Sequence, residues 1–179
     1  MKTIKITDSP KLKTSQLMQQ MRDRFKVWSY YSNEELDKQF PPPKKATTRY
    51  FADTVEADED LKNKSAKDLE KEKIPCITLR ERLQMEIEHW DKTKTNLDID
   101  NITLCAGSRF VDGFVPFVCR RRDGVVCVFG PGSRGASPFL RARRAVSLNS
   151  CDSSVPSDLE SRVAKLESDM DLVRKHLIL

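Results

Sequence analysis

Cysteine and histidine are the residues of this chain best suited to a structural zinc site, and their spacing argues against one. The chain contains Cys76, Cys105, Cys119, Cys127 and Cys151, together with His89 and His176. Successive cysteines are 29, 14, 8 and 24 residues apart, so no Cys-x-x-Cys pair exists. A structural zinc site takes four ligands that usually come in closely spaced pairs. We therefore expect reduced thiols, no bound metal and no cofactor.

Motifs that would indicate catalysis are also missing from the sequence. Neither a phosphate-binding loop nor a GxGxxG turn occurs. Both histidines fall in predicted helices, where they cannot complete a Ser-His-Asp set. We predict that the protein is not an enzyme.

The side chains best suited to binding are concentrated in residues 105–150. Eight arginines against two aspartates give this segment a net charge of +6, whereas the other 133 residues sum to −1. Aromatic and arginine side chains contribute most of the energy at protein interfaces. The candidate ligand-binding residues are Phe110, Val111, Phe114, Phe117, Cys119, Arg120, Arg121, Arg122, Cys127, Phe129, Arg134 and Phe139.

The same segment lacks five residue types altogether. Lys, Glu, Gln, Met and Trp make up 40 of the 133 residues outside it, so about 14 are expected inside it from composition alone. Burial explains missing Lys and Glu, but it does not explain eight arginines or the absence of Met and Trp. No codon ending in C encodes any of these five types, whereas every type present in the segment has such a codon. This pattern is typical of a segment diversified at codons of the AAC type.

The order of short motifs in this region resembles the variable proteins of diversity-generating retroelements. The motifs are Leu104-Cys-Ala-Gly-Ser-Arg109, Asp112-Gly113, Val115-Pro116, Val126-Cys-Val128 and Leu140-Arg-Ala-Arg-Arg-Ala-Val-Ser147, preceded by Thr47-Thr-Arg-Tyr-Phe51 and the predicted Thr78–Trp90 helix. The resemblance covers about residues 45–148. It implies a C-type-lectin-like fold, related to the formylglycine-generating enzyme, whose fixed scaffold displays variable residues on one face. The related oxidase binds copper with a closely spaced cysteine pair, and Cys119 and Cys127 do not match that spacing.

Local patterns predict the elements that must position these residues, and together they indicate an α+β fold. Capping boxes mark helix starts at Ser32–Glu35, Ser65–Asp68 and Thr78–Glu81. The third opens the clearest helix, from Thr78 to about Lys92. Residues 1–46 are predicted to be a helical lead-in, with a first helix around Leu17 to Trp28. A C-type-lectin-like ligand-binding domain is expected over residues 47–148.

All of the predicted strands fall within or at the end of the expected ligand-binding domain, residues 47–148. Strands are predicted at Thr47–Val55, Ile102–Cys105, Val115–Arg120, Val125–Phe129 and Leu140–Leu148. Turn signals such as Asp112-Gly113 and Asp123-Gly124 separate the later strands and indicate a small antiparallel sheet.

Alternation along these strands assigns side chains to the two faces of the sheet. Val118, Val126 and Val128 are predicted to face the framework, and Phe117, Cys119, Cys127 and Phe129 the other side. The alternative is that the phenylalanines form the core and the arginines a solvated rim. Arg141, Arg143 and Arg144 are expected to belong to the scaffold.

The end of the chain carries an oligomerisation pattern. A Ser/Asp/Pro stretch at 149–157 is predicted to be a linker, and residues 158–179 a coiled coil. Apolar residues recur at intervals of four and three: Leu159, Val163, Leu166, Met170, Val173 and Leu177. Opposite charges at the flanking Arg162 and Glu167, and at Asp169 and Arg174, favour parallel identical chains. We predict a homotrimer, with a dimer as the alternative.

These observations predict a non-catalytic, oligomeric ligand-binding protein whose partner is an unknown protein or surface ligand. Two alternatives stay open: a nucleic-acid-binding protein that uses the Arg/Phe-rich segment, and a structural phage component. The charged fraction of 33% is high for a globular chain, but the hydrophobic fraction of 38% argues against complete disorder. Neither a signal-peptide pattern nor a membrane-spanning run is found, so we expect a protein that is cytoplasmic or carried on a phage or other particle.

Overall fold

Residues 2–129 and 135–147 are described in a computed structural model of the protein. The predicted linker 149–157, the predicted coiled coil 158–179 and Arg134 lie outside the described residues. The helices are α1 (Thr14–Arg22), α2 (Asn33–Gln39), α3 (Ala66–Lys71) and α4 (Leu79–Thr93), with a short 3-10 helix at Glu59–Leu61. The strands are β1 (Thr3–Asp8), β2 (Val27–Ser29), β3 (Thr47–Ala52), β4 (Ile102–Leu104), β5 (Phe117–Arg120), β6 (Val126–Phe129) and β7 (Leu140–Arg141).

Within the described residues the strands form two small sheets, so the fold is α+β as predicted. β1 and β3 make an antiparallel pair. The second sheet has the order β2-β6-β5-β4-β7. Its three central strands are antiparallel, but β2 runs parallel to β6 and β7 runs parallel to β4. The sheet is therefore mixed, not purely antiparallel as predicted, because its two outer strands arrive through longer connections and not through hairpins.

The first 46 residues do not form a purely helical lead-in. They contain β1 and β2 besides the two helices, and both strands pair with later parts of the chain. The segment lies within one unit that extends to Val146. Helix α1 ends at Arg22, so Trp28, which the sequence placed on that helix, lies in β2 instead.

The three predicted capping boxes are present and fix the starts of α2, α3 and α4. In each, a hydroxyl oxygen at the N-cap accepts a hydrogen bond from the backbone N–H three residues later, at 3.2 Å. The N-cap residues are Ser32, Ser65 and Thr78. Satisfying otherwise unpaired N–H groups in this way stabilises each helix by about 1 kcal/mol.

One face of the five-stranded sheet packs on the helices. Val118, Val126 and Val128 point into a buried cluster with Leu17, Met18 and Met21 of α1 and Leu79, Leu83 and Ile87 of α4. The valines therefore face the framework, as alternation predicts. A second cluster covers the other face near β4 and β7, where Leu104 and Leu140 pack against Leu61 and Leu69.

Helix α4 also buries charged residues, which interact with acidic groups from distant segments. Arg82 and Arg143 both contact the carboxylate of Asp98, and Arg82 additionally pairs with Glu86 at 2.6 Å. All four of these side chains are at most 1% exposed. Arg80 pairs with Asp8 of β1 at 2.7 Å in a similar way. These ion pairs connect α4 to β1 and to the loops that precede β4 and follow β7.

Candidate ligand-binding face

Strands β5 and β6 present the predicted variable side chains on the face opposite the valine core. Cys119 and Cys127 are directly paired across the two strands, as are Phe117 and Phe129. Phe117, Cys119 and Phe129 are partly exposed, whereas Cys127 is fully buried between its neighbours. Cys127 therefore cannot contact a ligand directly, in contrast to the sequence prediction. The exposed part of this face is aromatic.

The phenylalanines of β5 and β6 lie next to two further aromatic residues, Trp28 in β2 and Tyr30 directly after it. The rings of Phe117 and Phe129 stack with centroids 5.2 Å apart, and Phe129 lies 5.0 Å from Trp28. Trp28 in turn contacts Tyr30 at 6.4 Å. We call these four residues the aromatic row. Trp28 and Tyr30 are 42% and 62% exposed, so the row becomes more accessible towards the β2 edge of the sheet.

The sequence prediction missed Trp28 because it assigned that residue to a helix, and it made no assignment for Tyr30. The alternation Val27-Trp-Ser-Tyr30, with two aromatics two residues apart, is the pattern of a short strand that places both rings on one side. That signal was present, but the segment is too short to be assigned without its partner strand β6.

Phe110, predicted to be part of the binding surface, belongs to the core instead. It is 6% exposed and packs against Tyr31 and Phe40, with ring centroids 4.7 and 4.8 Å away. The Asp112-Gly113 turn brings the loop back on itself, so that the Phe110 N–H donates to the carbonyl of Phe114 at 2.8 Å. Phe114 is half-buried and packs against the same cluster.

The remaining predicted residues do not join one continuous surface. Val111 is 91% exposed in the loop beside α2, and Phe139 is 63% exposed at the opposite, β7 edge of the sheet. Arg120 points to the same side as Val118, away from Cys119. Arg121 and Arg122 are exposed in the turn after β5. The candidate face therefore reduces to the aromatic row and Cys119.

The thiols next to the row are neutral at physiological pH. Burial raises the pKa of Cys119 to about 11 and also raises the pKa of Cys127 above its ordinary value. A protonated thiol is a weak nucleophile and behaves as a small apolar group. Cys119 thus adds a small apolar surface to this face without adding charge, and Cys127 is a buried neutral group beneath it.

The arginines near the end of the segment hold the scaffold together. Arg143 pairs with Asp98 at 2.7 Å, Arg144 pairs with Asp60 at 2.9 Å, and Arg141 contacts Glu59. Arg143 also donates to the carbonyl of Val55 at 2.8 Å. These contacts agree with the scaffold role expected of all three residues.

The described ranges contain neither a metal-ligating cluster nor a membrane-spanning helix. In residues 2–129 and 135–147, no three His, Cys, Asp or Glu side chains are grouped so that they could hold a metal ion. None of the helices in these ranges has the length and apolar character needed to cross a membrane. Comparison with known proteins finds no matching family model, no matching curated protein and no matching solved structure.

Proposed function

We propose that this chain is a non-catalytic ligand-binding protein of the diversity-generating retroelement type, with variable side chains displayed on a C-type-lectin-like scaffold. The observation that carries the proposal is the aromatic row, in which Phe117 and Phe129 meet the exposed Trp28 and Tyr30. Adjacent exposed aromatic side chains are typical of interfaces, because flat rings bury much area at a low entropic cost. The residue types missing from 105–150 support diversification of the segment.

The two faces of β5 and β6 suit a division between fixed and variable positions. Val118, Val126 and Val128 fill the core and cannot change freely, since a core substitution leaves a cavity or a buried polar group. Phe117, Cys119 and Phe129 are partly exposed, so their replacement leaves that core intact.

A matched pair of substitutions in β6 tests this division without knowledge of the ligand. We expect Val128→Asn to lower the free energy of unfolding by about 3 kcal/mol, because it places an amide in the core. Phe129→Asn, one residue further on, should cost about 1 kcal/mol through lost ring stacking. Urea denaturation of the two variants measures both values. Equal losses would contradict the assignment of fixed and variable faces.

The genetic part of the proposal is tested by sequencing around the gene and in related strains. We expect a reverse transcriptase and a near-copy template repeat next to the gene. Sibling proteins should differ at Phe117, Cys119 and Phe129 and agree at Val118 and Val128. Absence of the reverse transcriptase and the repeat would refute a retroelement origin.

We further propose that the C-terminal heptads assemble three parallel chains, which would present three aromatic rows together. Linked sites turn weak single contacts into strong overall binding. Light scattering should give the full chain three times its 20.6 kDa mass, and the chain lacking residues 157–179 a single copy. A truncated chain that remains oligomeric would show that the heptads are not responsible for assembly.

A further inference from the structure

A second candidate site lies on the other side of the sheet from the aromatic row. A cavity of about 430 Å³ opens where the end of α4 meets the turn between β5 and β6 and the residues before β2. The residues that line it include Lys26, Lys94 and Arg120, together with Phe25 and Trp90. We call it the basic cavity.

Among the described residues, the lining of the basic cavity is positively charged. Its lining contains three cations and no acidic residue. None of the three makes a salt bridge to any residue in the described part of the chain. The nearby Asp91 is already held by both ends of the Arg24 guanidinium, at 2.8 and 2.9 Å. Like charges that converge on one cleft create a potential that attracts an anion.

The wall of the cavity is also partly aromatic. The rings of Phe25 and Trp90 pack with centroids 4.9 Å apart, and both side chains are half-buried. Phe25 packs against the core cluster that Val118 also enters, which places the cavity on the helix side of the sheet. The C-terminal end of α4 adds a partial negative charge here, but three full positive charges outweigh a charge of about one half.

We propose that the basic cavity binds a nucleotide, with its phosphate on Lys26, Lys94 and Arg120 and its ring against Trp90. A volume of about 430 Å³ suits a small organic ligand of this size. Lysine and arginine donate charge-assisted hydrogen bonds to phosphate oxygens, and an aromatic ring provides a stacking surface for a base. The site goes beyond the proposed function, because a ligand in it leaves the aromatic row on the opposite face free.

Calorimetry on the full chain at low salt tests this assignment with AMP as the probe. We expect saturable binding of AMP, and binding at least about tenfold weaker for inorganic phosphate, which lacks the ring. Arg120→Gln should weaken AMP binding about tenfold, because a hydrogen bond to a charged group is lost. No binding of AMP would overturn the proposal, as would equal affinity for phosphate. Binding of a single-stranded oligonucleotide without binding of AMP would overturn it too, and would assign the cations to a nucleic-acid surface.

Two matched lysine substitutions distinguish AMP binding at the basic cavity from a general attraction of AMP to the positive charge of the protein. Lys94→Gln and Lys92→Gln remove the same charge two residues apart, but only Lys94 lines the cavity. Glutamine, like lysine, is unbranched at Cβ, so Lys94→Gln should fit the left-handed backbone at this position as well as the original lysine does. We expect about a tenfold loss of AMP affinity for Lys94→Gln and less than about a twofold loss for Lys92→Gln. Equal losses would mean that AMP responds only to net charge, and would overturn the site.

Discussion

Asp98→Asn is expected to lower the free energy of unfolding by about 3–5 kcal/mol, at least as much as Val128→Asn in the core. The Asp98 carboxylate is fully buried and accepts hydrogen bonds from Arg82 and Arg143, each with a 2.7 Å contact, and from Thr103. Loss of its charge leaves two buried guanidinium groups with Glu86 as the remaining acidic partner. Urea denaturation followed by circular dichroism measures the change.

The control for this substitution lies two residues away. Asp100 has an exposed side chain, and Asp100→Asn should change stability by less than about 0.5 kcal/mol. If the two asparagine variants were equally stable, the buried ion pairs would contribute nothing beyond surface charge.

The dependence of folding stability on pH provides a second test of the role of Asp98. Burial alone would raise the pKa of Asp98, but the charges of Arg82 and Arg143 and the hydrogen bond from Thr103 hold that pKa below its ordinary value. A lowered folded-state pKa contributes stability above the unfolded-state value of about 3.9, and this contribution disappears as the pH falls through the folded-state value. The wild-type chain should therefore lose stability more steeply below about pH 4 than Asp98→Asn does. Identical slopes would assign the acid sensitivity to other groups.

Gly107→Ala is the second substitution with a large expected effect. A Cβ at this position would overlap the carbonyl oxygen of Cys76 and lie 2.9 Å from that of Ile77. Both atoms belong to the main chain, and the Gly107 N–H already donates to the Ile77 carbonyl at 3.0 Å. Moving either segment would disturb the start of α4, so we expect a loss of about 3 kcal/mol.

Gly135→Ala is the matched control for this change. A Cβ at Gly135 meets no atom of the described residues within 4 Å, and its effect should be below about 0.5 kcal/mol. Thermal and urea unfolding of the two alanine variants give the comparison. A Gly107→Ala protein as stable as the wild type would mean that the Cys76–Ile77 segment can move away at little cost.

The parts of the fold that were predictable from sequence are those determined by nearby residues. The capping box at Thr78 and the apolar stripe behind it define α4 within a few neighbouring positions, and the helix begins and ends within about one residue of the prediction. Strands β1 and β2 were missed because each is stabilised by a partner far along the chain. Three residues such as Val27–Ser29 carry too little pattern to be assigned alone.

The buried charges of α4 were unpredictable for a related reason. Arg82 and Glu86 are spaced like a solvated pair on a helix surface. They are buried because Asp98 and Arg143, from separate loops, complete the ion pairs. Charged residues are rarely buried without such partners, and a single sequence does not reveal which partners meet.

The binding face was predicted in part. Alternation gave the correct orientation of Phe117, Cys119 and Phe129 relative to the core valines. The prediction of Phe110 as a surface residue rested on its type and not on alternation, and it was wrong because the turn at Gly113 folds that side chain inward. Alternation along these strands could not reveal Trp28, which comes from another segment. A strand pattern gives the direction of a side chain, but the exposure of that side chain depends on what the rest of the chain places beside it.

The parallel pairing of β2 with β6 has a consequence for synthesis on the ribosome. Val27 pairs with Val126, so β2 leaves the ribosome about 100 residues before its partner, a delay of about 5–20 s at ordinary translation rates. During that interval the aromatic side chains at Trp28 and Tyr30 have no neighbouring strand. We therefore expect the nascent chain to be prone to aggregation at β2 until β6 has emerged.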